Sequence, residues 1–338
     1  MKLREISYFW IIAAATGIFE VAALADVGGS TCAVNDRPCK QREKMISATQ
    51  VLDGDVELGV NWDGEGPDAA VRFGVEVLGM ENPKGEIHLI PFDLDWVPDQ
   101  GGFRIRLALA EAPVFFFCRL PEGGVVLPPG GLLESDCKPE RLGLGAKVLD
   151  FQWDAGTGRR SIEWLGLSAV INLLNNGNTM QFLHKNLLVH AGLDLETVWK
   201  APTWPNGLEQ PRINAEKAST SLRGNFGISG LLRSQDYLWE LRGFAYFRPD
   251  VFEWDDWVAD GRVEVMRNFV VGADEEFLVS AGLYFGGAYA SKPETAIGAG
   301  DCVSDRDRGT VCGGLRLEVF YFGSAKKKAS LDHQLPVR

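Results

Sequence analysis

The charged and polar side chains of this sequence that are able to do chemistry recur at every second position of apolar segments. Glu240 and Arg242 are two residues apart, as are Arg262 and Glu264. Because successive side chains of a β-strand point to opposite faces, each pair lies on one polar face opposite an apolar one. The residues predicted on such polar faces are Arg72, Glu76, Arg104, Arg106, His190, Asp194, Arg223, Glu240, Arg242, Arg262, Glu264, Arg316 and Glu318.

His190 is the residue with the most chemical interest, because Asp194 shares its strand face. A histidine near a carboxylate can act as a general base. No serine is tied to His190 by spacing, however, and the sequence contains no H-E-x-x-H, P-loop, G-x-S-x-G or G-x-G-x-x-G pattern. We therefore expect a hydrogen-bonded histidine, no catalytic residue and a protein that is not an enzyme.

The segment 301–312 carries three aspartates whose oxygens are of the kind that Ca²⁺ prefers. Their spacing does not match an EF-hand loop, and Arg306 and Arg308 oppose a cation. We expect a solvated loop, no metal site and no cofactor.

The net charge of −12 over 338 residues argues against a nucleic-acid partner, which would need a basic surface. Residues 1–25 have the pattern of a secretory signal peptide. Lys2 and Arg4 precede an apolar centre from Tyr8 to Phe19, and Ala23-Leu24-Ala25 forms an A-x-A cleavage site. The apolar centre is shorter than the roughly 20 residues of a membrane-spanning helix. We predict cleavage after Ala25 and export.

The cysteine content is consistent with export, since an even number in a secreted chain favours disulfides. Six cysteines allow 15 connectivities, and the sequence does not choose among them. The simplest arrangement pairs them sequentially, as 32–39, 118–137 and 302–312. The disulfide candidates are Cys32, Cys39, Cys118, Cys137, Cys302 and Cys312.

Alternation of apolar and mild residues is clearest from Glu276 to Gly287 and recurs along most of the chain. It predicts about 12 strands, uncertain by two, within residues 51–322. Residues 26–50 are predicted as a periplasmic lead-in, 110–140 mainly as a long loop, and 323–338 as a polar tail. The predicted strands are Val56–Trp62, Val71–Val77, Ile90–Trp96, Phe103–Leu109, Leu142–Trp153, Ile162–Leu173, Leu187–Leu195, Ser219–Leu231, Tyr237–Phe247, Val263–Phe269, Glu276–Gly287 and Leu315–Phe322.

Two all-β architectures share this alternation: a transmembrane antiparallel up-and-down β-barrel and an exported soluble β-sandwich. Three features favour the barrel. The predicted strands are long, as tilted membrane strands must be. Arginine and glutamate sit at mid-strand, which suits a wet interior. Tryptophans cluster near strand ends, as in an interfacial girdle. Those tryptophans are Trp62, Trp96, Trp153, Trp199, Trp254 and Trp257.

Over roughly residues 50 to 322, this pattern resembles the bacterial outer-membrane β-barrel class, without a motif of one family. The resemblance implies contact with membrane lipid and insertion by the barrel-assembly machinery. Chains of the class usually finish on an aromatic residue that helps assembly. Here Phe322 closes the last predicted strand, and residues 323–338 follow it.

Two functions remain open for such a barrel. One is a pore for small solutes, and the other is a structural or surface-interaction barrel with a filled lumen. Neutralising Arg242 or Arg316 is expected to change ion selectivity if these residues line a pore. An outer-membrane lipid hydrolase is a further alternative, because the resemblance includes barrels with a Ser–His site.

Overall fold

The computed structural model describes residues 49–50, 52–62, 67–76, 78–82, 85–97, 102–126, 138–154, 160–174, 185–199, 218–234, 237–271, 277–291 and 309–321. These residues form strands and turns, without a helix. In the described part of the chain, no helix is long and apolar enough to cross a membrane.

The strands are joined antiparallel along the chain. They are β1 (Thr49–Gln50), β2 (Leu52–Trp62), β3 (Pro67–Glu76), β4 (Leu78–Asn82), β5 (Gly85–Leu89), β6 (Phe92–Val97), β7 (Gly102–Arg119), β8 (Val125–Val126), β9 (Lys138–Asp154), β10 (Arg160–Asn172), β11 (Lys185–Trp199), β12 (Ser219–Arg233), β13 (Trp239–Pro249), β14 (Trp257–Val271), β15 (Phe277–Ala290) and β16 (Gly309–Tyr321).

The described strands close into a ring of twelve. β1 and β2 act as one barrel strand, and β3 and β4 act as the next one. β1 pairs with β4, and β2 pairs with β3. β5 and β6 likewise form one strand along β7. β16 pairs with β2, which closes the ring, and β8 is an extra strand on β7. The predicted all-β barrel of about 12 strands is confirmed, and the β-sandwich alternative is wrong.

The predicted long loop over residues 110–140 is wrong at both ends, because β7 continues to Arg119 and β9 begins at Lys138. Phe115-Phe116-Phe117 lies inside β7, with Phe116 buried. Register shifts between Ala112 and Phe115 and between Phe116 and Cys118 reset the alternation there. A bulge adds a residue to one strand and breaks the period of two, which hid this strand from a pattern reading.

The phase slip predicted near Val148 and Leu149 is present in β9. Leu149 has a positive φ of 51°. In the neighbouring strand β10, the pairing with β11 shifts register between Glu163 and Leu165. Ile90, next to Pro91, also has a φ of 51° and separates β5 from β6. Proline has no amide hydrogen for the ladder, so the break between these two strands falls at the position the sequence indicates.

Apolar side chains cover the outside of the barrel and charged side chains fill the inside, the reverse of a soluble protein. A row of leucines and a valine crosses four neighbouring strands in register and is exposed: Leu58, Leu315, Leu283 and Val265. Residues of the opposite faces are buried although they are charged or polar. They include Glu57, Asp150, Asp194, Glu240, Arg262, Glu264 and Glu318. An apolar outside around a polar inside is the distribution of a barrel whose solvent is lipid.

The tryptophans predicted near strand ends lie there, and all six lie at one end of the barrel. This distal end is opposite to the end where β1 begins and β16 finishes. Trp62 and Trp199 close β2 and β11, Trp257 opens β14, and Trp254 precedes it in the turn. Ring contacts extend the cluster, with Trp257 5.6 Å from Phe247 and 5.4 Å from Tyr289 between ring centroids. The distal end therefore carries an aromatic belt.

Asn268 fixes the turn between β12 and β13 at the other end. Its Nδ2 donates to the Tyr237 carbonyl at 2.7 Å, and its Oδ1 accepts from Ser280 Oγ at 2.6 Å. Tyr237 is buried and has a φ of 55°, so this backbone must be held by its surroundings.

Replacing Asn268 by leucine is expected to lower the free energy of unfolding by about 1–3 kcal/mol, because two buried polar groups lose these bonds. Urea titration of the folded protein in detergent measures it. Ser219→Ala, at an exposed strand start, serves as the control. Equal stability of the two variants would contradict the anchoring role of Asn268.

Candidate lumen site

Most of the residues predicted on polar faces meet inside the barrel in two groups. The first, called the arginine network, joins β2, β12, β13, β14 and β16. Its members are Asp55, Glu57, Arg233, Glu240, Arg242, Arg262, Glu264, Arg316 and Glu318. The second group lines a cavity on the other side of the lumen.

Arg262 is the most buried cation of the network, at 2% exposure. Its two terminal nitrogens donate to Glu57 on β2 at 3.0 and 2.5 Å, and its Nε lies 2.6 Å from Glu264. The guanidinium carbon also lies 4.1 Å from the ring centre of Tyr284. A two-point pair of this kind fixes the guanidinium in one orientation and links strands that are not neighbours.

Arg316 and Arg242 extend the network. Arg316 lies 2.7 Å from Glu264 and 2.9 Å from Asp55. Arg242 donates to both oxygens of Glu318, at 3.0 and 2.9 Å, and also pairs with Glu240. Neither arginine lines the cavity described below. That either arginine lines a pore stays a prediction.

The cavity has a volume of about 340 Å³ and is bounded by strands from β3 to β14. That volume holds many waters and is within the range of small-molecule sites. Its charged lining comprises five cations and seven carboxylates: Arg72, Arg104, Arg106, Lys147 and Arg248, with Asp93, Asp95, Glu111, Asp150, Glu163, Asp194 and Asp260.

Each of the five cavity cations has a carboxylate partner. Arg106 has three carboxylate partners, Glu111 at 2.5 Å, Asp150 at 2.9 Å and Asp93 at 3.3 Å. The other pairs span 2.7 to 3.5 Å and are Arg104 with Asp95, Arg72 with Asp93 and Asp95, Lys147 with Asp150 and Glu163, and Arg248 with Asp260. Cavity cations are thus neutralised locally, while carboxylates are in excess.

His190 faces the same cavity, and the structure supplies a serine that spacing did not reveal. His190 Nε2 lies 2.8 Å from Ser229 Oγ on the neighbouring strand β12. Ser229 also bonds to Tyr246, whose ring centroid is 5.5 Å from that of His190. The expected hydrogen-bonded histidine is thus found. Asp194, predicted beside it, is on the same face but bonds to Asn225.

One predicted residue, Arg223, lies outside both groups. Arg223 pairs with Glu196 at 3.1 Å and with Asp256 at 3.5 Å. Glu76 lies in β3 opposite Asp53, and its side chain is outside the described part of the structure.

Sequence reasoning missed several charged residues of the cavity. Arg248 falls one residue beyond the predicted strand Tyr237–Phe247, which lies two residues further along the chain in the structure. Asp260 falls three residues before the predicted strand Val263–Phe269, which is longer in the structure. Lys147, Asp150 and Glu163 flank the irregularity at Leu149, where the alternation changes phase. Extending each predicted strand by two or three residues would have found Arg248 and Asp260.

Of the six cysteines, Cys118 and Cys312 are in the described part of the chain, where no cysteine is free. The other four lie outside the described residues, so the three pairings stay a prediction. The segment 301–308, with its three aspartates, also lies outside the described residues.

No known family model matches the chain, and no curated protein matches it. Among solved structures, the NanC porin is similar over 79% of this chain and 98% of its own, at 9% identity and a TM-score of 0.38. The KdgM porin is similar over 79% of this chain and 98% of its own, at 6% identity and a TM-score of 0.33. An anion-selective porin from Comamonas acidovorans is similar over 81% of this chain and 99% of its own, at 8% identity and a TM-score of 0.32. Since so few residues are identical, these similarities carry nothing about solutes.

The architecture itself defines the class. Twelve antiparallel strands close into a ring with an apolar exterior and a charged interior. This is the architecture of bacterial outer-membrane β-barrels, so the predicted class is confirmed, and it supports an outer-membrane location.

Proposed function

We propose that the protein is an outer-membrane channel for ions and small solutes. The observation that carries the proposal is the charged cavity of about 340 Å³ inside the lumen. A closed barrel shields this cavity from lipid, so water and ions are the species that such a lining attracts. Twelve strands lie between small filled barrels and the open porins of 16 to 18 strands, which favours a narrow path.

The proposal includes the route to the membrane. The signal peptide is cleaved after Ala25, the chain crosses the inner membrane, and the barrel-assembly machinery inserts it. The domain limits follow the sequence prediction, with a periplasmic lead-in at 26–50, the barrel at 51–322 and a polar tail at 323–338. N-terminal sequencing of the protein from outer membranes tests the cleavage site, with Asp26 expected as the first residue.

A filled, structural barrel is the second candidate, and the arginine network favours it. Nine charged side chains of this network pair across one half of the lumen and occupy space that a wide pore would leave open. The two functions differ in what they expect of the cavity on the other side of the lumen: a channel conducts ions through it, and a filled barrel does not. Only a filled barrel would remain closed to ions when folded in a bilayer.

A lipid hydrolase is not proposed. The Ser229–His190 pair belongs to β12 and β11 and faces the cavity side of these strands. A membrane lipid would have to cross the strand wall to reach it. We therefore propose a non-enzymatic role.

Single-channel recording in planar bilayers tests the channel. Folded protein is expected to give discrete conductance steps that are smaller than those of 16-stranded porins, because the network narrows the lumen. Boiled protein in the same detergent is the control. An electrically silent barrel that is folded by gel mobility would overturn the channel and leave the filled barrel.

A further inference from the structure

The charge balance of the cavity indicates which solutes it favours. Seven carboxylates face five cations, and each of these cations already has a carboxylate within 3.5 Å. An incoming anion would find no cation that is not already paired. An incoming cation would find surplus carboxylate, so the field in the lumen favours positive ions.

The excess of carboxylate charge is concentrated at Asp194. It is 6% exposed, and in the described part of the chain it has no ion pair. Arg223 lies directly opposite in the register but turns its guanidinium to Glu196 and Asp256. The hydrogen bond from Asn225 supplies a neutral partner only. Lys147 and Arg248 act on Asp194 only through the electrostatic field, because each forms its ion pairs with other carboxylates. A buried carboxylate without a cation in direct contact is costly, and a cation from solution would offset that cost.

Glu163 adds a second oxygen at the same place. A Cβ atom at position 166 would lie 2.6 Å from Asp194 Oδ1 and 2.7 Å from Glu163 Oε1, so the two oxygens converge above Gly166. Glu163 Oε1 is buried and accepts no hydrogen bond from a described residue. Its other oxygen, Oε2, lies 3.3 Å from Lys147, which also pairs with Asp150. The two strands β10 and β11 thus present two carboxylate oxygens to one point of the cavity.

We infer that the lumen selects cations over anions and that Asp194 is the residue that contributes most to this selectivity. This inference rests on the proposed channel function. It names the class of solute, small cations, and one residue that determines it.

Reversal potentials across a KCl gradient test the inference on wild type, Asp194→Asn and Glu163→Gln. Wild type is expected to prefer K⁺. Asp194→Asn is expected to lower the K⁺/Cl⁻ permeability ratio by about thirtyfold, because one unit charge at 4 Å in a water-like medium changes the K⁺ and Cl⁻ permeabilities by about sixfold each, in opposite directions. Glu163→Gln is expected to lower it less, because Glu163 forms a direct ion pair with Lys147 and Asp194 does not. Glu122→Gln makes the same charge change in an exposed turn and should leave the ratio unchanged.

The outcomes separate the inference from the channel itself. A channel that conducts but prefers Cl⁻, or prefers neither ion, would overturn cation selectivity and leave the channel standing. A cation-selective channel whose Asp194→Asn variant keeps the wild-type ratio would overturn the role of Asp194. The absence of any conductance by folded wild type would overturn the proposed function. Unchanged gel mobility of both variants confirms that they are folded.

Discussion

Replacing Arg262 by methionine is expected to lower the free energy of unfolding by about 3–5 kcal/mol. The substitution leaves Glu57 buried without the two-point pair that Arg262 provides at 2.5 and 3.0 Å. Arg316 lies 3.6 Å from Glu57 and replaces little of that interaction. The lost Arg262–Glu57 pair links β14 to β2, so the pairing between β2 and β16 should weaken as well. Urea titration in detergent micelles measures the change.

Two matched variants separate charge burial from the loss of a side chain. Adding Glu57→Gln to Arg262→Met removes the unpaired buried charge, so the double variant should recover most of the stability. Arg119→Met breaks an exposed pair with Glu140, where Arg119 is 64% exposed, and should cost less than about 1 kcal/mol. If Arg262→Met and Arg119→Met were equally stable, the network would not hold the barrel together.

Leu283→Arg is expected to destabilise the inserted barrel by about 2–4 kcal/mol, because it places a charge at the middle of the lipid-facing surface. Leu283 is the seventh residue of β15 and is 63% exposed, with Val265 and Leu315 beside it in the register. In a soluble protein, the same exposed position would tolerate arginine within about 0.5 kcal/mol. Folding titrations into lipid vesicles give the difference.

Phe252→Arg is the matched control for this substitution. Phe252 is 80% exposed but lies in the turn between β13 and β14, outside the strands. It should therefore change the folding free energy far less than Leu283→Arg. Equal folding of both variants into vesicles would mean that the leucine row does not face lipid.

The twelve-strand pattern was predictable because the lipid side and the lumen side impose a strict period of two on each strand. Leu222, Phe226 and Ile228 in β12 show this clearly, since each alternates with a small or polar residue. Most of the arginine network was predictable for the same reason. Arg262 and Glu264 had to share a face, and so did Arg316 and Glu318.

The partners of those residues were not predictable from one sequence. Arg262 meets Glu57 across 205 positions of the chain, and only closure of the ring through β2 and β16 brings them together. The cavity was hidden for a second reason. Asp150 and Glu163 sit beside irregular positions, where the period of two breaks and the face of a residue no longer follows from its number.

The closed membrane barrel is tested most directly by a gel that compares unboiled and boiled protein from outer-membrane extracts. A ring of twelve paired strands without a free edge should stay folded in cold detergent and migrate differently after boiling. We expect the protein in the outer-membrane fraction with a clear heat-dependent shift. Recovery in the soluble periplasm without a shift would contradict the lipid-facing exterior.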